Sequence, residues 1–196
     1  MNEECTKPEY VLNRIWLNLE QAVKDRRHDY HNVTFSNLKK NNQVSSRTVI
    51  LRNFNKKENY LTFHADIRSP KINEIHYNSK CQILFYSKRL KEQLRIKVLS
   101  SVQHNNLITK KAWDKTQFMS RKCYLTSYPP GTEINKPSDG IPKYLKGKEP
   151  QKNESEMGFM NFSVIINYIE SIDWLFLSSQ GHKRLLFYKL SGKWKS

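Results

Sequence analysis

The chain has 196 residues, of which 37% are apolar and only 6 are glycine, so it is long enough for one domain with a hydrophobic core. Its 34 Lys and Arg residues outnumber its 18 Asp and Glu residues and give a formal charge of +16. No apolar run approaches the roughly 18 residues that a membrane-spanning helix needs, and 3 widely spaced cysteines argue against a disulfide framework or a zinc site.

The first residues carry acid where a signal peptide carries base, and no apolar segment follows them. We therefore expect a cytoplasmic protein with no membrane partner. The basic residues are scattered along the chain and form no block of five or more like charges. We interpret most of the net charge as solvated surface lysine, which makes a nucleic-acid partner unlikely, and look among individual arginines for phosphate ligands.

The first part of the chain predicts one long helix followed by three strands. Apolar residues recur every three to four positions over Pro8–Lys24, which predicts an amphipathic helix with Thr6 as a candidate N-cap. β-Branched and aromatic residues then predict strands over residues 33–38, 44–54 and 60–65, joined by polar turns. We expect these three strands to be neighbours in an antiparallel meander.

The middle of the chain predicts a short helix, two strands and a further helix. Ser69 precedes Pro70, and serine at the N-cap followed by proline at the first helical position predicts a helix over residues 70–77. Apolar and alternating segments predict strands over residues 81–86 and 93–98. A helix is predicted over residues 109–119.

Residues 129–160 show no periodicity and are punctuated by proline and glycine. Because long structureless segments are uncommon inside a domain, we expect a lid-like or disordered insertion loop. Three strands over residues 162–168, 172–177 and 184–190 follow. The pattern predicts a single domain over residues 1–196, built as a small closed antiparallel β-barrel of six or more strands with helices at its ends.

Two basic segments are candidates for a phosphate site. Arg47 and Arg52 bracket a β-branched and apolar run and point to opposite faces of a strand. Ser69 and Lys71 lie at a helix start, where free N–H groups and the helix dipole favour an anion. These groups suit a phosphate dianion on a flat, partly apolar molecule. The residues alone leave a second interpretation open, in which an ordinary strand with exposed arginines lies beside a well-capped helix.

A resemblance to a known family favours the phosphate site over the ordinary strand and helix. Four segments in order resemble the FMN-binding split barrel of the pyridoxamine 5′-phosphate oxidase-like family, namely residues 46–52, 63–71, 85–86 with 93–95, and 182–187 with Trp194. The resemblance extends from about Trp16 to Trp194 and leaves out the 129–160 loop. It implies a mainly β fold with short helices, a six-stranded antiparallel split β-barrel, FMN as cofactor, and a homodimer with the site at the subunit interface.

The resemblance also implies a role for individual residues. Arg47, Ser69 and Lys71 would hold the FMN phosphate, and Gln93 would reach the edge of the isoalloxazine ring. Arg184 would come from the second subunit. The other implied cofactor contacts are Thr48, Val49, Ile50, Leu51, Arg52, His64 and Ala65.

On the substrate side, the resemblance implies Arg52, Arg121 and His182. Arg52 stands where the oxidases proper have lysine, and Pro70 stands where the family has arginine. Tyrosine, serine and arginine of the family's substrate half are replaced here by Gln117, Leu125 and Gln180. The residues that match the family's flavin contacts are therefore retained, whereas several that match its pyridoxamine phosphate contacts are replaced. This pattern favours a different small-molecule substrate.

These features predict an FMN-dependent oxidoreductase with an altered substrate side. The flavin would carry out the hydride chemistry, so we assign no catalytic residue and no metal ligand. Two alternatives remain open. One is a flavin-binding carrier or sensor without turnover, and the other is a basic nucleic-acid-binding protein in which aromatic residues stack on bases.

Overall fold

The computed structural model describes residues 7–196. Within that range the α-helices are α1 (Pro8–Lys24), α2 (Pro70–Tyr77), α3 (Leu107–Asp114), α4 (Phe118–Arg121) and α5 (Lys152–Glu156). The strands are β1 (Asn32–Leu38), β2 (Val44–Ile50), β3 (Asn53–Asn55), β4 (Tyr60–Asp66), β5 (Lys80–Ser87), β6 (Glu92–His104), β7 (Phe162–Phe176), β8 (Lys183–Leu190) and β9 (Lys193–Lys195). None of these helices is both long and apolar enough to cross a membrane.

The strands form one antiparallel sheet in the order β2-β1-β5-β6-β7-β4-β3, with β8 paired to β7 and β9 paired to β8. The prediction of a mainly β antiparallel fold with short helices is confirmed. The predictions of six strands and of a closed barrel are wrong, because the described chain has nine strands and the path from β2 to β3 does not close. One backbone hydrogen bond, from Arg52 N to Thr62 O at 2.9 Å, joins the segment after β2 to β4.

The predicted meander is confirmed for its first pair and in part for its second, because the end of the predicted strand 44–54 forms β3, which pairs with β4 from Asn53↔Thr62 to Asn55↔Tyr60. β2 pairs with β1 along all seven of its residues, whereas β4 pairs with β7 from Tyr60↔Tyr168 to Asp66↔Phe162. The reason is burial, because five of the seven residues of β4 are buried, including Thr62 and Asp66 on the face opposite Leu61, Phe63 and Ala65. Such a strand is stabilised in the interior of a sheet, between two neighbours.

Strand β7 is a single 15-residue strand where the sequence predicted two. Its first half pairs with β4 and its second half with β8, while β6 runs beside both halves. A register shift between Lys97 and Val98 of β6 accommodates the bend. In the sequence, Tyr168 looks like the end of one strand and Glu170 like part of a loop before the next. In the structure both are exposed and lie on the outward face of one continuous strand.

Helix α1 is confirmed from its first to its last residue, although Thr6 lies outside the described residues and Lys7 occupies the N-cap. Its apolar face, including Ile15 and Leu19, is fully buried against the sheet. Burial of each such side chain stabilises the fold by about 1.5–3 kcal/mol. Trp16 stacks on Phe54 with 5.3 Å between ring centroids and so connects α1 to β3.

A second apolar cluster lies under α3 and consists of Trp113 with Phe162, Val164 and Ile166 of β7. The predicted helix over residues 109–119 is interrupted, because α3 ends at Asp114 and α4 begins at Phe118. Helix α3 therefore covers the outer side of β7, whereas α2 lies near β1 and β6.

Residues 129–160 contain secondary structure that the sequence did not reveal. A 3₁₀ turn covers Lys143–Leu145, α5 covers Lys152–Glu156, and a second 3₁₀ turn covers Met157–Asn161. Leu145 and Ser155 are buried. The function of this segment as a lid stays a prediction.

Candidate functional site

Arg47 lies on the inward face of β2, under helix α2. Its guanidinium donates hydrogen bonds to Asn37 Oδ1 and to Ser45 Oγ, the latter at 2.5 Å. Its Nη2 atom also lies 3.5 Å from Glu74 Oε2 on α2. Burial lowers the pKa of Arg47, and the Glu74 carboxylate opposes that shift. The arginine is thus held in place by three polar side chains of its own chain.

Ser69 and Lys71 lie beside Arg47 at the start of α2. Ser69 is the N-cap residue but its side chain makes no capping hydrogen bond, and its Oγ is buried without a partner among the described residues. Burial, and then the nearby Arg47 charge, lower the pKa of Lys71. This unpaired hydroxyl, the two cations and the helix N-terminus fit a phosphate dianion. The predicted phosphate ligands Arg47, Ser69 and Lys71 are therefore brought together.

The remainder of the Arg47–Arg52 segment is divided between surface and core. Thr48 and Ile50 are exposed, Val49 is half-buried, and the Leu51 side chain is fully buried. Leu51 N donates to His31 O at 2.9 Å, so this amide is not free for a ligand. β2 is the terminal strand of the sheet path, so within residues 7–196 one edge of its backbone has no neighbouring strand. That edge can pair with the polar rim of a planar ring.

Arg52 and His64 lie together on the opposite face of the sheet, next to a cavity of about 780 Å³. Burial, and to a lesser degree the Arg52 charge, lower the pKa of His64 to about 3. His64 is therefore a neutral imidazole near pH 7, with its ring edge-to-face on Phe162 at 4.8 Å. The Nε of Arg52 is buried without a partner among the described residues. Ala65, the next residue of β4, is buried and its carbonyl accepts a hydrogen bond from Ser163 Oγ.

Gln93 and Arg184 do not converge with Arg47 inside one chain. In the sheet order, β6 is three strands from β2, and β8 is five strands from it. Both residues are aligned with Leu175 of β7, Gln93 from β6 and Arg184 from β8. The Arg184 guanidinium makes two hydrogen bonds to Asp173, at 2.8 and 2.7 Å, which lower the pKa of that carboxyl.

Arg121 is committed to contacts within the chain. Its guanidinium donates to the carbonyl oxygens of Thr116 and Trp113, to Ser155 Oγ at 3.2 Å and to Glu156 Oε1 at 2.6 Å. It also lies over the Trp113 ring at 4.7 Å and is only 3% exposed. An arginine with four internal hydrogen bonds has little capacity left for a substrate phosphate.

The other substrate-side residues are placed differently. His182 is exposed in the turn before β8, where its Nδ1 accepts a hydrogen bond from Ser178 N at 3.1 Å. Gln117, which replaces a family tyrosine, lines the cavity beside Arg52 and accepts a hydrogen bond from Arg26 at 2.9 Å. Arg52 and Gln117 therefore line the same cavity, whereas His182 lies on the surface.

Sequence reasoning missed Glu74 and Glu156, the two carboxylates that hold the arginines. Glu74 follows Lys71 by three positions on a short helix, a spacing that places both on one face. This signal was present in the sequence. Glu156 follows Arg121 by 35 positions across a segment without periodicity, so no local pattern connects them.

Comparison with known proteins identifies a related domain and a related fold. Residues 13–102 match the sequence family described as pyridoxamine 5′-phosphate oxidase, FMN-binding domain. A pyridoxine/pyridoxamine 5′-phosphate oxidase of Pelagibacter ubique is 26% identical over 188 residues, which cover 93% of this chain and 86% of the relative.

Two solved structures share the fold along almost the whole chain. A pyridoxamine 5′-phosphate oxidase-related, FMN-binding protein of Nostoc punctiforme has a TM-score of 0.73 and 18% identity, and the match covers 96% of this chain and 95% of that one. PhzG of Burkholderia lata, solved with tetrahydrophenazine-1-carboxylic acid, has a TM-score of 0.72 and 13% identity over 100% and 95% of the two chains. Residues 13–102 thus match an FMN-binding domain of the pyridoxamine 5′-phosphate oxidase type, which gives FMN as the cofactor, and the chain shares its fold with these solved structures.

Proposed function

We propose that the protein is an FMN-dependent oxidoreductase whose substrate is not pyridoxamine 5′-phosphate. The claim of a different substrate rests on the contacts of Arg121. This residue matches the family's substrate-phosphate arginine, but its guanidinium donates four hydrogen bonds to groups of its own chain. The replacements at Gln117, Leu125 and Gln180 support the same conclusion.

The cofactor half of the proposal rests on the cluster of Arg47, Ser69 and Lys71. In the proposal these side chains bind the FMN phosphate, and the free edge of β2, from Thr48 to Ile50, orients the ring. Bound FMN supplies two-electron hydride chemistry. The chain contributes position and electrostatics, because no described side chain near the cluster is arranged as a nucleophile with an adjacent base.

Arg52 and His64 form the boundary between the cofactor and the substrate in this proposal. Arg52 keeps a positive charge next to the ring, and its buried Nε has no hydrogen-bond partner among the described residues. His64, with its pKa lowered to about 3, stays neutral and adds no second positive charge. In the proposal, the buried Ala65, which follows His64 in β4, helps to exclude water. His182 approaches the substrate from the surface.

We further propose a homodimer in which the second subunit supplies Gln93 and Arg184. Within one chain these residues are separated from β2 by several strands, so a second copy is the simplest way to bring them to the phosphate cluster. The outer surface beside Arg184 supports this, because Leu186 and Tyr188 are 54% and 43% exposed.

The proposal treats residues 1–196 as one domain in which the 129–160 segment closes over the flavin. Its support is the path of this segment, since Gly131 lies beside Pro70 at the start of α2. Arg68 also donates to Thr126 Oγ1 at 3.0 Å and so fixes the preceding residues near the same helix. We place the protein in the cytoplasm, where the free thiols of Cys81 and Cys123 would stay reduced.

An absorption spectrum of the purified protein tests the cofactor, and anaerobic reduction of the bound flavin tests the chemistry. We expect a flavin spectrum, quenching of FMN fluorescence at micromolar protein, and reduction by a donor other than pyridoxamine 5′-phosphate. Efficient oxidation of pyridoxamine 5′-phosphate would overturn the altered substrate. A flavin that no donor in a broad panel reduces would favour a carrier or sensor.

A further inference from the structure

A cavity of about 780 Å³ lies between the end of α1, helix α3 and the outer face of β4 and β7. We call it the basic cavity. Its volume is in the range of sites for small organic ligands. Arg52 and His64 lie on its inner side, so it adjoins the proposed flavin ring.

The charged side chains that line the basic cavity are all of one sign. Its lining includes five side chains that are cationic at neutral pH, which are Lys24, Arg26, Arg52, Lys111 and Lys115. Of the described residues that line it, none is Asp or Glu. Elsewhere in the fold the arginines that approach the interior face a carboxylate, as Arg47 faces Glu74 and Arg121 faces Glu156. The basic cavity lacks this internal compensation.

The cations also have unused bonding capacity. Among the described residues, Lys24, Lys111 and Lys115 form no ion pair. The Nε of Arg52 is buried and has no hydrogen-bond partner in the part of the chain that the structure describes. A buried donor without a partner costs about 1–3 kcal/mol, so the chain itself does not compensate this group.

The cations are spread around an apolar centre. Lys111 in α3 and Lys115 at its C-cap are four residues apart and so lie on one side of the helix, while Lys24 comes from the end of α1. Val164 and Ile166 of β7, both nearly fully buried, contribute apolar wall between them. This arrangement suits a flat or compact apolar body with charged groups at its periphery.

We propose that the basic cavity binds an organic ligand with an apolar body and at least two separated anionic groups. A single phosphate would neutralise one group of cations and leave the others unpaired. A nucleic-acid backbone fits less well, because the charges line a concavity with apolar walls and not a convex surface. That this ligand is the substrate rests on the proposed function, whereas the binding site itself does not.

The probe is benzene-1,3,5-tricarboxylate, with benzoate as the monoanionic comparison. Calorimetric titration at physiological salt is carried out on the full chain with and without FMN. We expect the tricarboxylate to bind at least about tenfold more tightly than benzoate, because it engages separate cations.

The test variant is K111Q/K115Q, which removes two exposed charges from one side of the basic cavity. We expect it to weaken tricarboxylate binding about tenfold. The matched control is K39Q/K40Q, which removes the same charge from the exposed β1–β2 turn, at the opposite end of β2 from Arg52. We expect less than a twofold change there.

Equal losses in the two double variants, or benzoate binding as tightly as the tricarboxylate, would overturn the proposal. A duplex oligonucleotide that displaces the tricarboxylate and loses affinity only in K111Q/K115Q would assign the surface to nucleic acid and also overturn it. The two proposals fail separately. FMN binding without tricarboxylate binding refutes only the basic cavity, and tricarboxylate binding to a chain that takes no FMN refutes only the flavin function.

Discussion

The Nη2 atom of Arg47 lies 3.5 Å from Oε2 of Glu74, so the proposed phosphate arginine already faces a carboxylate of its own chain. A phosphate dianion that binds at Arg47 and Lys71 must approach this negative charge. At an effective dielectric constant near 20, such a repulsion amounts to roughly 1 kcal/mol or more at ligand distances.

We therefore predict that Glu74→Gln strengthens FMN binding by about fivefold or more. The amide keeps the hydrogen bond with Asn37, whose Nδ2 donates to the same oxygen at 2.8 Å, but it carries no charge. Fluorescence titration of FMN measures the change. Glu20→Gln on the exposed side of α1 is the control, and weaker FMN binding in Glu74→Gln would show that the carboxylate positions Arg47 instead of competing with the phosphate.

Lys71→Ala is expected to weaken FMN binding by roughly 1.5–3 kcal/mol, which is about one to two orders of magnitude in Kd. The physical reason is the loss of a charged contact from a half-buried ammonium that forms no ion pair with the described residues. Lys40→Ala, in the exposed β1–β2 turn, is the matched control. An unchanged Kd in Lys71→Ala would refute this placement of the phosphate.

Arg121→Ala is expected to lower the free energy of unfolding by about 3 kcal/mol, because it removes four hydrogen bonds, one of which is the ion pair with Glu156. Arg121→Lys should recover little of this loss, since one ammonium cannot reproduce the forked geometry of the guanidinium. Urea denaturation measures both effects. FMN affinity should stay within about twofold of that of the wild type in the folded variants.

A stable Arg121→Ala variant that had lost only its turnover would contradict this prediction. Such a result would return Arg121 to the substrate side and weaken the case for an altered substrate.

His64 should make the fold sensitive to acid. Its pKa is lowered to about 3 in the folded chain, whereas an unfolded histidine titrates near 6.5. Between these values the unfolded chain binds more protons, so the free energy of unfolding falls as the pH falls. From pH 7 to pH 5 the contribution of this one group is about 2 kcal/mol.

We predict that His64→Gln removes about that much of the difference between urea unfolding curves at pH 7 and pH 5. His76→Gln, which removes an imidazole from an exposed position of α2, is the matched control. If His64→Gln and the wild type lose stability equally on acidification, the imidazole is not held neutral by its surroundings.

The boundaries of α1 and α2 could be predicted from the sequence because local chemistry determines them. Pro8 and Pro70 each occupy the first helical position, where a missing N–H group costs nothing. The continuity of β7 could not be predicted, because Glu170 lies outward at a bend and carries the same polar signal as a turn. Its pairing with β6 along both halves is a long-range property.

The phosphate cluster was predictable for the same reason as the helices. Arg47, Ser69 and Lys71 belong to two short segments whose local structures direct them to one place. The hydrogen bonds that Arg121 makes within the chain could not be predicted, because its partners are Glu156 and backbone carbonyls that come near it only in the folded chain. Its resemblance to a substrate ligand is a property of sequence position, and its surroundings are a property of packing.

The uncompensated cations of the basic cavity also have a kinetic consequence. A small anion diffusing toward a chain of net charge +16 is drawn to the region where positive charge is least balanced. Its association rate should therefore fall steeply as salt is added, while its dissociation rate changes little. The lysines of α3 would then serve to collect dilute ligand from solution, as well as to hold it once bound.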